Sequence, residues 1–194
     1  MSSTMRFDNW QTSDGTSIAT TDASGNISFA GAGAGKILQV VSTTKTDTFS
    51  TSVSSNSYSG NITGLEATIT PTSATSTIFI MVTLHATHHS YGQANYRIVR
   101  DSTPIGVGDA AGSRAQLTSG LQPSDVTANT DVPVMNMSAH HMDSPATTSA
   151  ITYGVQLYSV NPTNTMYVNR TKQDSDSASR GRYVSSITVW EVSA

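Results

Sequence analysis

The apolar residues of this 194-residue chain fall almost entirely into short runs with a period of two, set among Ser, Thr, Asn and Gly. Ile78-Phe79-Ile80-Met81-Val82-Thr83-Leu84-His85 and Thr152-Tyr153-Gly154-Val155-Gln156-Leu157-Tyr158 are the clearest examples. Such alternation sends successive side chains to opposite faces of an extended strand. No stretch carries a comparable helical stripe at i, i+3, i+4 and i+7. The pattern predicts an all-β protein: an antiparallel β-sandwich, jelly-roll-like, preceded by an extended N-terminal arm. Its working part is then expected on the surface.

Strands are expected near 36–43, 46–53, 64–70, 77–87, 95–100, 104–108, 132–141, 151–160, 165–170 and 183–192. Pro71-Thr72-Ser73, Ser119-Gly120-Leu121-Gln122-Pro123 and Asn161-Pro162-Thr163-Asn164 punctuate them as turns, and Ser144-Pro145 stops the strand before it. Residues 1–35 differ. Phe7, Trp10, Ile18, Ile27 and Phe29 stand apart among turn formers, and Asp14-Gly15 reads as a hairpin. Gly31-Ala32-Gly33-Ala34-Gly35 reads as a hinge before a sandwich domain over 36–194. The stretch 110–130 has the longest lapse of periodicity and is the expected functional loop.

The alternation also sorts faces. Ile78, Ile80, Val82 and Leu84 should point one way, and Phe79, Met81, Thr83 and His85 the other. Both sets are fairly apolar, as are those of Val132-Pro133-Val134-Met135-Asn136-Met137 and Ile187-Thr188-Val189-Trp190-Glu191-Val192. One face would meet a second sheet and the other a sister copy, so an oligomer is expected. There is no cysteine to staple the fold, and its stability must come from its core or from association.

Charge excludes further classes. Asp, Glu, Lys and Arg make up 12% of the chain, and thirteen acids against ten bases leave a net charge of −3. A chain so poor in positive charge offers no stripe for a phosphate backbone, so no nucleic-acid partner is expected. The N-terminus lacks the apolar segment of a signal peptide, and no run approaches the ~20 apolar residues that span a bilayer. Synthesis in the cytoplasm without membrane insertion is the expectation.

Candidate chemistry is thin. His88-His89 and His140-His141 close two strands with His85 nearby, but neighbours in a strand face opposite ways, so each pair supplies at most one ligand to a metal. Asp174-Ser175-Asp176 lacks the Gly and later Glu of a calcium loop. Nothing pairs Asp101, Asp109 or Asp143 beside a sugar groove, and no nucleophile elbow surrounds any Ser. Neither an enzyme nor a cofactor or metal is expected. Tyr91, Tyr96, Tyr153, Tyr158, Tyr167, Tyr183 and Trp190 are candidates for stacking on sugar rings.

Four segments, in order, carry a resemblance: Lys36-Ile37-Leu38-Gln39-Val40-Val41-Ser42-Thr43-Thr44-Lys45-Thr46-Asp47, then Arg97-Ile98-Val99-Arg100-Asp101-Ser102-Thr103-Pro104-Ile105-Gly106-Val107-Gly108-Asp109. Asp143-Ser144-Pro145-Ala146-Thr147-Thr148 before Thr152-Tyr153 is the third, and Arg180-Gly181-Arg182 before Ser186-Ile187-Thr188-Val189-Trp190-Glu191-Val192 the fourth. Together they resemble the small β-sandwich domains of bacteriophage fibre and appendage proteins, especially of marine and cyanobacterial phages. Phe7-Asp8-Asn9-Trp10-Gln11 resembles the lead-in to such domains.

The resemblance implies a virion structural protein, assembled in the host cytoplasm and trimeric. Only about 35 residues precede the domain and no heptad run offers a shaft, which favours a short knob-like appendage over a long fibre. Phe7, Trp10, Ile18, Ile27 and Phe29 would plug the arm into other virion proteins of the tail or head. His88, His89, Tyr91, Arg114, Gln116 and Gln122 would meet a host-surface glycan. The alternative is a monomeric, lectin-like carbohydrate-binding module.

Overall fold

A computed structural model describes residues 9–22, 25, 27–29, 35–88, 94–121, 134–160 and 164–194. Among these residues every regular element is a strand and every strand pairing is antiparallel. Three short strands come first: β1 (Asn9–Gln11), β2 (Ser17–Thr21) and β3 (Ile27–Phe29). The sandwich follows with β4 (Ile37–Lys45), β5 (Phe49–Val53), β6 (Ser57–Ile69), β7 (Thr77–His88), β8 (Ala94–Arg100), β9 (Thr103–Ile105) and β10 (Ser119–Leu121). It closes with β11 (Met135–Asp143), β12 (Ile151–Ser159), β13 (Asn164–Val168) and β14 (Ser185–Val192).

Eight of these strands form two facing sheets. The back sheet runs β4-β14-β7-β11 and the front sheet β6-β12-β8-β10. The pairings are nested: β4 with β14, β6 with β12, β7 with β11 and β8 with β10. First meets last and each later strand meets its mirror in the chain order. That is a jelly roll, a fold in which a long hairpin is wrapped into two sheets. The remaining strands extend its edges. β9 adds to β8, and β13 and β5 continue the back sheet beyond β14. One edge of β7 is thus shared by β14 and then β13. Buried Asn169 bridges that joint: its Nδ2 donates to the Lys45 and Asp47 carbonyls, and its Oδ1 accepts from Ser185 Oγ.

Alternation decides the core. Ile78, Ile80, Val82 and Leu84 of β7 are fully buried, with Ile187 and Val189 of β14 beside them. Tyr153, Val155 and Leu157 of β12 face them from the front sheet with Tyr96 and Ile98 of β8. Burial of a side chain of this size stabilises by about 1.5–3 kcal/mol, which makes a one-residue slip of register prohibitive. All ten strands expected from the sequence are present, each displaced by a few residues at most at its ends except β6, which begins at Ser57 instead of near 64. β10 carries too little periodicity to be foreseen in the 110–130 stretch. Residues 122–130 of that stretch lie outside the described residues.

The arm has structure of its own. β1, β2 and β3 form a separate meander, and the Asp14-Gly15 hairpin is where the sequence places it. Gly15 takes a φ of 85°, the left-handed region that suits glycine. Asp14 accepts from the Thr12 hydroxyl and the Thr16 amide, which hold its carboxyl down at about 2. Trp10 and Ile27 are exposed at 57% and 63%, and Ile18 at 41%. Phe7 lies outside the described residues, as does the side chain of Phe29. The junction is tied to the C-terminus, where Gly35 N donates to Ser193 O and Ser193 N to Lys36 O.

Candidate functional site: a two-arginine groove and an uncharged sheet face

The front sheet presents a groove of about 290 Å³ where its outer face meets the loop between β9 and β10. Neighbours in this sheet are remote in the chain, so the groove collects residues from four places. β6 and the turn before it supply Tyr58 and Asn56, β8 supplies Arg97, and β12 supplies Tyr158. The loop supplies Arg114, Ala115 and Gln116, with Pro104 and Val107 at its start.

Each wall is held. The Arg97 guanidinium lies 3.5 Å from the centre of the Tyr58 ring, a close cation–π contact, and Tyr58 packs on Tyr158 at 4.9 Å between centroids. Arg97 Nε and Nη2 both donate to Gln156 Oε1, at 2.9 and 2.7 Å. Gln156 in turn donates to Asn61, and Asn61 to Glu66. Asn61 fits over the sheet only because position 154 is glycine: a Cβ there would come within 2.7 Å of its amide nitrogen. The Tyr58 hydroxyl donates to the Gln116 carbonyl and the Gln116 amide to the Gly108 carbonyl, which pins the loop to β6. Burial pushes the Tyr158 phenol above its ordinary range, and neighbouring Tyr58 adds to the shift. The Tyr158 phenol is therefore a neutral hydrogen-bonding group at physiological pH.

The electrostatics are lopsided. Among the described residues two guanidiniums line the groove and no carboxylate does, in a chain whose net charge is −3. Among the described residues neither Arg97 nor Arg114 has a carboxylate partner, whereas Arg100, Arg170 and Arg182 each have one.

The second feature is the outer face of the back sheet. Register sets its side chains in rows across four strands. Val40, Trp190, Phe79 and Met142 form one row, and Ser42, Thr188, Met81 and His140 the next. Thr44, Ser186, Thr83 and Ser138 form a third, made only of hydroxyls. None of these twelve positions is Asp, Glu, Lys or Arg. Phe79 packs on Trp190 at 5.3 Å and on His140 at 5.8 Å. Val40, Met81 and Met142 stay 52%, 43% and 49% exposed, and Leu38 extends the apolar rim. The covered side of β7 is thus the one toward the front sheet, and its second apolar side is open.

The residues singled out from the sequence separate into several places. Arg114 and Gln116 come together in the groove with Tyr158, while Tyr58, Arg97 and Asn56 were missed. His88 requires correction: it is 2% exposed at the end of β7, near Ser159 Oγ, so it stands behind the surface. His89, Tyr91 and Gln122 lie outside the described residues. Tyr96 and Tyr153 are fully buried core residues and are closed to a sugar ring. His85 stacks on Tyr183 and contacts the Val184 carbonyl. His140 and His141 lie within β11 instead of ending it, facing opposite ways, and His141 covers Gly106. Asp174 meets Arg170 at 3.2 Å and Arg182 at 2.5 Å, so its carboxylate is spent on ion pairs. Among the described residues no three His, Asp or Glu side chains cluster as a metal site would require.

No protein-family model matches the chain, and no curated protein matches it either. Fold and site define the class: an antiparallel jelly-roll sandwich with an uncharged back and a cationic groove in front.

Proposed function

We propose that this chain is a bacteriophage virion protein, a short knob-type appendage that acts by binding and displays a trimeric jelly roll. Residues 1–35 dock it onto other tail or head proteins, and the front sheet faces the host surface. The observation that carries this reading is the uncharged outer face of the back sheet. A face of four strands without one formal charge suits contact with an identical face or its neighbour, because copies brought together there meet no like-charge repulsion. Exposed Trp10, Ile18 and Ile27 support the docking role, since aromatic and aliphatic anchors of this kind dominate binding energy once buried. The segments that resemble phage appendage domains support the setting. Jelly rolls recur in viral coats and in lectins, so the fold alone does not choose between them.

The groove favours one competing reading, a monomeric carbohydrate-binding module. Mass separates the two. In light scattering the appendage has three times the 20.4 kDa of one chain, and the lectin module has that mass once. Phe79→Lys with Met142→Lys, both on the outer face, should return the assembly to single chains that keep their β-sheet circular dichroism. In a map of the intact particle the appendage reading requires three copies about an axis with residues 1–35 at the base.

A further inference from the structure

We infer that the groove between Tyr58, Arg97, Tyr158 and Arg114 binds an acidic saccharide, a pyranose ring that carries a carboxylate. This deepens the host-surface role proposed above and rests on it for its biological setting; the site itself rests on its own geometry.

Three observations converge. The first is uncompensated charge. A guanidinium has five N–H donors, and Arg97 spends two of them on the single Oε1 of Gln156. Its remaining donors have no hydrogen-bond partner among the described residues, where its charge is met by the neutral Gln156 amide and the Tyr58 ring and by no carboxylate. Among the described residues the Arg114 guanidinium reaches only the Ala111 carbonyl, at 3.3 Å. Two planar forks flanking one concave surface suit a carboxylate, which accepts two parallel N–H bonds from such a fork. The second is the mixed lining. Tyr158, Pro104, Val107 and Ala115 offer apolar surface, and Asn56, Gln116 and the Tyr58 hydroxyl offer polar edges beside it. A sugar ring presents this same combination of C–H faces and hydroxyl edges, and a bare inorganic anion would leave the apolar half unused. The third is rigidity. The loop is tied by Tyr58 to Gln116, by Gln116 to Gly108 and by Gly108 N to the Leu117 carbonyl. Arg97 is clamped between Tyr58 and Gln156. Pre-set donors lose little freedom on binding. At about 290 Å³ the groove lies at the lower end of the size range of small-ligand sites, which run from ~300 Å³ upward, and suits a single ring.

The test is calorimetric titration of the full-length protein with trigalacturonate, with a neutral hexose trimer, and with inorganic phosphate. The inference predicts saturable binding of the uronate that weakens with added salt, with the neutral trimer and phosphate each at least about tenfold weaker. Arg114→Gln, an exposed change that leaves the sheets intact, should weaken the uronate about tenfold and leave the thermal midpoint in place. Arg97→Gln should abolish binding; because Arg97 also packs on Tyr58, its folded state is checked by circular dichroism, and the exposed Arg114 variant decides the matter should it unfold. Equal affinity for the neutral trimer overturns the acidic class. Equal affinity for phosphate overturns the saccharide, and no uronate binding overturns the site. Each of these results leaves the mass of the assembly unchanged, so failure here is distinguishable from failure of the appendage reading.

Discussion

Tyr153 of the front sheet donates its phenol to Asp143 of the back sheet at 2.7 Å, within the buried core. Arg100 Nη1 closes on both oxygens of the same carboxylate at 2.9 Å. The three groups come from β12, β11 and β8, so one charged knot laces the two sheets where β11, among the described residues, pairs only with β7. Removing Asp143 leaves a buried hydroxyl and a half-buried guanidinium without their acceptor. Asp143→Ala should cost about 2–3 kcal/mol in urea unfolding and Tyr153→Phe about 1–2 kcal/mol, because the latter keeps the ion pair. The reverse order would contradict the assignment of Asp143 as the shared acceptor.

Alkali should attack the same core. Burial pushes the Tyr96 phenol up to about 12, and burial with the hydrogen bond to Asp143 pushes Tyr153 higher. Unfolded phenols ionise near pH 10. The folded state therefore holds these protons longer, and its advantage is complete below pH 10 and declines as pH rises toward 12. Absorbance at 295 nm should show some of the seven tyrosines ionising only as the sheet signal is lost. Ionisation of all seven near pH 10 with the fold intact would refute it.

Acid acts through Glu191. Burial alone would raise its carboxyl. Hydrogen bonds from Gln39 Nε2 at 2.6 Å and from the Thr72 amide and hydroxyl at 2.7 Å hold it at about 2 instead. A depressed carboxyl contributes stability above its unfolded value near 4.5, and that contribution disappears as pH falls through about 2. Its worth at neutral pH is on the order of 3 kcal/mol. Glu191→Gln should flatten the acid limb of the stability curve between pH 4.5 and 2, measured by urea midpoints. An unchanged limb would place the acid sensitivity elsewhere.

A side chain at position 154 should carry a cost. A Cβ there displaces Asn61, and with it the chain of bonds through Gln156 that orients Arg97. Gly154→Val should cost about 1–3 kcal/mol by overpacking and weaken groove ligands, although residue 154 does not line the groove. Full affinity in a folded Gly154→Val protein would show that Arg97 needs no such support.

Most of the sandwich was legible because alternation is a local property. Ile78, Ile80, Val82 and Leu84 announce one buried face, and the same period sorts β12 and β14. β10 was not legible: three residues, Ser119–Leu121, carry no pattern and pair with β8 only through the closing of the jelly roll. The groove was half legible. Arg114 and Gln116 stand in an aperiodic loop and draw attention. Arg97 and Tyr58 sit in ordinary strands, and only the non-consecutive order β6-β12-β8 makes them neighbours. His88 misled for the opposite reason, since a His pair at a strand end looks exposed until β13 pairs across it.

The account stands on the uncharged outer face that Val40, Trp190, Phe79 and Met142 begin. Sedimentation equilibrium of the purified chain at micromolar concentration tests it most directly. The predicted result is a single species of three times 20.4 kDa that Phe79→Lys with Met142→Lys converts to folded single chains. A wild-type protein that sediments at 20.4 kDa, compact and cooperatively folded, would contradict it.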